Sequence, residues 1–242
     1  MNKVYACTDL HGIYPLWEQI KEYCDETDII YFLGDAIDRG DKGMLILRQM
    51  LVDKRVKFIK GNHEYFVEDV GADLAEGRST SIDLWRMNGG WDSIKDFLKM
   101  SEESQILLIR QIMKLPTSAT YINKKGQQIL LSHAGYSPDN FPKELHDLMW
   151  DRDHVADEWD FKKYPNTYIV HGHTPVPHLG LKIREPVGFD NKGFPEPLFY
   201  ADGHKIDLDL MSFNTGKAVL FDLDELKVAK TFYAPEVWRL VD

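Results

Sequence analysis

Three times in the first 64 residues, a short apolar, β-rich run gives way to a polar, glycine-bearing turn and then to apolar residues at helical spacing. The runs are Lys3 to Cys7, Asp28 to Leu33 and Val56 to Ile59. Leu16, Ile20 and Tyr23 mark the helix after the first, Met44 to Leu51 the helix after the second, and the residues beyond Glu64 begin a third. This β-loop-α repetition predicts an α/β fold with a parallel sheet. It also puts each polar loop at the carboxyl end of a strand, where ligand sites of open α/β sheets gather. From about residue 65 to 115 the pattern turns helical, across "SIDLWRMNGGWDSIKDFLKM" and "SEESQILLIRQIMKL". Ser101, with Glu103 and Ser104 close behind, predicts a capped start, and Pro116 ends the run. Strand-like stretches follow at 117–122, 127–133, 166–173, 204–210, 217–223 and 226–233. "DNKGFPEP" (190–197) reads as a surface loop, and nothing in the pattern reads as a linker. The expectation is one domain over residues 1–242 with a helical insertion at about 65–115.

Charge narrows the partners. The chain has 29 Lys and Arg against 39 Asp and Glu, a formal net charge of −10. That argues against nucleic acid or an anionic membrane, both of which need a basic footprint. No apolar run approaches the roughly 18 residues of a membrane helix, and "MNKVYAC" carries no signal-peptide core. Cys7 and Cys24 are too few for a disulfide framework and read as small buried hydrophobes of a reduced, cytoplasmic protein. No obligate subunit is evident.

Candidate chemistry lies at the strand ends. The first loop offers Asp9 and His11, the second Asp35 and Asp38, the third Asn62 and His63. Two later strands end at His133 and at His171 and His173. An Asp after a strand is commonly a turn former, and a lone His is commonly a satisfied core residue. Five strand ends delivering carboxylate, imidazole or amide together point instead to metal. Mixed oxygen and nitrogen ligands suit Mn²⁺, Fe or Zn²⁺. The donors exceed the needs of one ion, so two ions sharing a carboxylate is the natural solution.

The ordered motifs "DLHG" (9–12), "GDAIDRG" (34–40), "GNHE" (61–64), "SHAG" (132–135) and "HGHTP" (171–175) resemble the signature of metallophosphoesterases. They are most similar to the bacterial and phage form of its PPP branch, the serine/threonine protein phosphatases; "LWRMNGG" (84–90) and "LMWDRD" (148–153) are similar to it as well. The resemblance implies a calcineurin-like fold of two packed β-sheets flanked by helices. It implies that Asp9, His11 and Asp35 hold one divalent ion and that Asp35, Asn62, His133 and His173 hold a second, with Mn²⁺ the expected metal and Fe or Zn²⁺ the alternatives. Arg39, Arg152 and Asn62 would bind the substrate phosphate. His63, oriented by Asp38, would protonate the leaving group while a hydroxide held between the ions attacks phosphorus directly.

The expected substrate is phosphoserine or phosphothreonine in a phosphoprotein or phosphopeptide. The alternative is a symmetrical dinucleoside polyphosphate, the substrate of a related branch that carries a non-acidic residue in place of Asp38 and "GNHD" in place of "GNHE". Pro175, where nucleases of the superfamily carry a further histidine, argues against those branches. His171 is read as a strand-end residue, Glu64 as a helix cap, and His146, His154, His178 and His204 as surface. The PPP "DTG" element is eroded here to "IDLDLMSFNTG" (206–216), which leaves the pocket wall there unassigned.

Overall fold

A computed structural model describes residues 2–75, 80–136, 138–139, 144–153, 155 and 160–234. The first half follows the β-loop-α repetition: β1 (Val4–Cys7), α1 (Tyr14–Tyr23), β2 (Ile29–Phe32), α2 (Gly43–Val52) and β3 (Val56–Phe58). Four helices come next, α3 (Asn62–Ala75), α4 (Thr80–Met87), α5 (Trp91–Leu98) and α6 (Glu102–Met113). Then come β4 (Ser118–Ile122), β5 (Gln128–Ser132), α7 (Asp147–Trp150), β6 (Thr167–His171), α8 (Val176–Ile183), β7 (Leu198–Tyr200), β8 (Lys205–Asp207), α9 (Ser212–Thr215), β9 (Lys217–Asp222) and β10 (Lys227–Tyr233).

The strands form two five-stranded sheets, ordered β10-β9-β1-β2-β3 and β4-β5-β6-β8-β7. β1, β2 and β3 are parallel, as the repetition predicts, but β9 and β10 extend that sheet antiparallel. The second sheet is likewise mixed, with β5, β6 and β8 parallel between antiparallel edges. The expected pair of packed sheets is therefore present, each of them mixed.

Alternation along the strands explains the layering. On β1, Tyr5 and Cys7 face a core shared with Leu16, Trp17 and Ile20 of α1. Val4 and Ala6 face the other way, into a core with Ile129 and Leu131 of β5 and Val170 of β6. Both faces of β1 are buried. The cysteines are buried and free, as read from the sequence. No helix among the described residues is long and apolar enough to cross a membrane.

Three local departures have physical causes. The helical stretch over 81–100 is divided into α4 and α5 at Gly89, whose φ of 90° no helix accommodates. The helix α8 sits between two of the expected strands, in a stretch with no predicted element: Pro175 and Pro177 open it, since a missing N–H costs nothing in a first turn, and Val176 and Leu179 bury one face. His204, read as surface, is half-buried, its ring stacked against Phe161 and Tyr168 with centroids 5.2 and 4.8 Å away. His146 and His178 are exposed, and His154 lies outside the described residues. Ser101 caps α6 as predicted, its hydroxyl accepting from the Ser104 N–H at 3.3 Å.

Candidate functional site

The carboxyl ends of the parallel strands of both sheets meet, and every proposed ligand sits there. The loops after β1 and β2 are zipped by backbone bonds, Asp9 N to Gly34 O, His11 N to Asp35 O and Gly12 N to Ala36 O, all between 2.9 and 3.0 Å. The third loop joins through Glu64. Its buried carboxylate accepts from the N–H groups of Asp35, Ala36 and Gly61 at 2.8–3.0 Å. Glu64 is thus the clamp that fixes the second loop against the third, a larger task than capping its own helix. Burial, and then Asp35, push its carboxyl above the ordinary value.

These turns are tight. Asp9, His11, Asp35, Asp38, Arg39 and His173 all have φ between 42° and 71°, a left-handed conformation uncommon for residues with a Cβ. Such residues gather at functional sites, where the surrounding fold holds them against the strain. Gly34 goes further, with φ 94° and an imagined Cβ only 2.6 Å from Gly61 Cα and N. Gly34→Ala should therefore lower stability by more than the roughly 1–2 kcal/mol of the backbone conformation alone. With about 2–4 °C per kcal/mol in a chain of this size, a thermal melt should fall by several degrees. An unchanged melting temperature would contradict the packing described.

Asp35 is the hub. Its Oδ2 lies 3.3 Å from His133 Nε2 and 3.7 Å from both His11 Nε2 and His63 Nε2. Two groups with metal-binding potential share it: His11, Asp35 and His63, and Asp35, His133 and His173. Burial pushes the Asp35 carboxyl up, but His133, His63 and His11 outweigh it and hold the group well below the usual carboxylate range. Asn62 Oδ1 faces His133 Nε2 at 2.9 Å and His173 Nδ1 at 3.0 Å. Asp9 completes the first side, with Oδ1 3.7 Å from His11 Nε2 and Oδ2 accepting from Thr8 Oγ1 and the His173 N–H. Burial and then Asp209 push the Asp9 carboxyl well up.

The hydrogen bonds behind the rings test whether these residues suit a cation. His133 Nδ1–H donates outward to Leu33 O at 2.7 Å, yet its inner Nε2 faces two more acceptors, Asn62 Oδ1 and Asp35 Oδ2. A ring with acceptors at both nitrogens must carry a charge or face one. Against the effect of burial, Asp35 and Asp9 indeed raise its pKa to about 9. His11 Nδ1 likewise donates to Ile37 O at 3.1 Å, which turns the lone pair of Nε2 inward. Burial and then Arg39 keep that ring well below the usual histidine value. Outer carbonyls that fix the inner nitrogen are the ordinary support of metal-binding histidines. The donor set therefore fits divalent cations.

His63 belongs to the first of the groups around Asp35 and is paired with Asp38 at its other ring nitrogen. Asp38 Oδ2 lies 2.6 Å from His63 Nδ1, and both residues are buried. Trp85 Nε1–H donates to both Asp38 oxygens, at 2.8 and 2.9 Å. Exposed Arg39 lies across the centre, with Nη1 2.6 Å from His11 Nε2 and Nη2 3.2 Å from His63 Nε2. Its guanidinium also sits 5.8 Å from the ring of Phe213. Exposed Arg152 reaches the opposite end, its Nε donating to His173 Nε2 at 3.2 Å.

The segment without the usual "DTG" still forms a wall. Asp209 accepts from the Met211 N–H, the Ser212 hydroxyl donates to the Asp9 carbonyl, and Phe213 backs Arg39. His171 is buried outside the cluster and bonds Tyr200 OH at 2.8 Å. Sequence reasoning missed Trp85, the clamp role of Glu64 and Phe213. All three stood inside quoted stretches, but nothing in the spacing singled them out.

Two sheets whose strand ends share one acidic, histidine-rich centre define a metallophosphoesterase. The chain belongs to the calcineurin-like phosphoesterase family, which matches residues 2–204. It is 24% identical over 142 residues to a symmetrical bis(5'-nucleosyl)-tetraphosphatase of Buchnera aphidicola, a match covering 56% of this chain and 45% of that protein. It is also 24% identical over 165 residues to serine/threonine-protein phosphatase 2 of Salmonella typhimurium, covering 63% and 69%. Among solved structures, a protein serine/threonine phosphatase of Saccharomyces cerevisiae superposes with a TM-score of 0.58 at 14% identity, covering 97% of this chain and 81% of that one. The match thus spans less than half the length of the Buchnera relative.

Proposed function

We propose that this phosphoesterase is a protein phosphatase that removes phosphate from phosphoserine and phosphothreonine. The observation that carries the reading is the buried 2.6 Å contact between Asp38 and His63. Serine and threonine leave as alkoxides of high pKa, which need a well-oriented acid. A nucleotide leaving group needs little protonation. The competing reading, cleavage of dinucleoside tetraphosphates, draws on the name of the Buchnera relative and on a solved structure named for diadenosine tetraphosphatase activity that superposes with a TM-score of 0.58, and it leaves this pair with little to do.

Asp9, His11 and Asp35 would hold one divalent ion and Asp35, Asn62, His133 and His173 a second, with Asp35 shared. When bound, the pair would supply Lewis acidity and a water of lowered pKa. The chain's own residues do the rest. Arg39 and Arg152, planar guanidinium forks on long exposed side chains, turn to the phosphoryl oxygens and set the ester for in-line displacement. Asp38 accepts from His63 Nδ1–H and so aims Nε2 at the centre. The proton on Nε2 passes to the departing oxygen as the P–O bond breaks.

Hydrolysis of a phosphoserine peptide should disappear on dialysis against a chelator and return on adding Mn²⁺, with Fe²⁺ and Zn²⁺ tested beside it. Undiminished turnover in the chelator would contradict the reading.

A further inference from the structure

We propose that Trp85 is a positioning residue for proton transfer, its indole N–H holding the Asp38 carboxylate so that Oδ2 faces His63. The inference rests on His63 acting as the acid of a phosphomonoesterase. Among the described residues, the side-chain hydrogen bonds to the Asp38 carboxylate come from Trp85 and His63. Both Asp38 and Trp85 are 0% exposed, so no solvent competes for that carboxylate. An indole N–H can only donate. It therefore fills acceptor capacity on both oxygens and cannot exchange roles with the imidazole. The remaining donor to Oδ2 is His63 Nδ1–H, a bond that fixes the ring with Nε2 facing the centre.

The surroundings are built for this contact. The indole packs edge-on against Phe97, with centroids 6.0 Å apart at 64°. A Cβ on Gly90 would fall 2.3 Å from Trp85 Cδ1 and 2.5 Å from Nε1, so only glycine leaves room for the indole edge. The same α4–α5 hairpin also grips the backbone of the second loop. Asp38 N donates to Ser93 Oγ at 3.0 Å and Arg39 N to Gly89 O at 2.9 Å. Three residues of one hairpin, Trp85, Gly89 and Ser93, thus hold two consecutive residues at φ of 71° and 65°.

The test is Trp85→Phe, which keeps the bulk and removes the donor. On a phosphoserine peptide kcat should fall on the order of 10–100-fold, the usual cost of losing an outer partner in such a centre. KM should hold within about twofold, and the rate on p-nitrophenyl phosphate, whose leaving group needs little protonation, should fall far less. In an Asp38→Asn background the same change should add almost nothing, because the two would act through one path. Equal losses on both substrates, or a full additional loss in the Asp38→Asn background, would overturn the positioning role. If Trp85→Phe does not fold, ¹⁵N spectra of the unsubstituted protein decide: one indole N–H signal should lie downfield and shift on Asp38→Asn, and an unmoved set of indole signals would overturn the proposal. His63→Asn is run alongside. A substrate split there with none in Trp85→Phe defeats this inference alone, whereas no split in His63→Asn removes the acid role and takes the inference with it.

Discussion

His63→Asn is expected to lower kcat on a phosphoserine peptide by on the order of 10²–10⁴. The expectation follows from position. His63 lies in the first turn of α3, its backbone N–H is anchored on Asp35 Oδ1 at 3.1 Å, and its Nδ1 is held by Asp38, so Nε2 is the inward end of a fixed ring, facing Arg39 and Asp35. Asparagine keeps the backbone anchor, so the loss should be chemical and the fold unaffected. On p-nitrophenyl phosphate the loss should be much smaller. Metal content supplies the control, because His63 also lies within 4.8 Å of His11 and Asp35 ligand atoms. Unchanged metal with a split between substrates supports the acid. Lost metal with equal losses would make His63 a ligand.

Asp35→Asn should remove both ions. Asp35 is the residue common to the two histidine groups, and its carboxylate is the shared negative charge that two cations would need. The amide preserves an oxygen toward the His63 N–H and removes the charge. Metal that binds only the folded state stabilises by mass action, roughly 2.7 kcal/mol at a hundredfold excess over Kd. Mn²⁺ should therefore raise the melting temperature of the unsubstituted protein by about 5–10 °C and leave that of Asp35→Asn unmoved. Elemental analysis of the purified variant should find neither ion, whereas Asp9→Asn should weaken the first alone. Two full equivalents in Asp35→Asn would remove the bridging assignment.

The clustering of the proposed metal ligands was legible because chemistry and topology coincide in them. Asp9, Asp35, Asn62 and His133 each follow an apolar run within a few residues, and parallel strands bring such ends together whatever the register. The bonds between the loops were not legible. Glu64 reads as a cap because helix starts favour acids, and only the folded chain reveals its carboxylate spanning Asp35, Ala36 and Gly61. Trp85 reaches Asp38 across 47 residues, from a helix whose break at Gly89 the helical period concealed. β9 and β10 pair antiparallel beside β1 from the far end of the sequence, a choice that strand periodicity does not encode. His204 shows the converse: a histidine without a motif reads as surface, whereas the fold half-buries it against aromatic rings of β6 and Phe161.

The most direct test compares kcat/KM for a phosphoserine peptide and for diadenosine tetraphosphate with Mn²⁺, before and after Asp38→Ala. The protein-phosphatase reading predicts that the peptide is preferred and that Asp38→Ala sharply slows its hydrolysis. A preference for diadenosine tetraphosphate over every phosphopeptide tried, undiminished by Asp38→Ala, would contradict it.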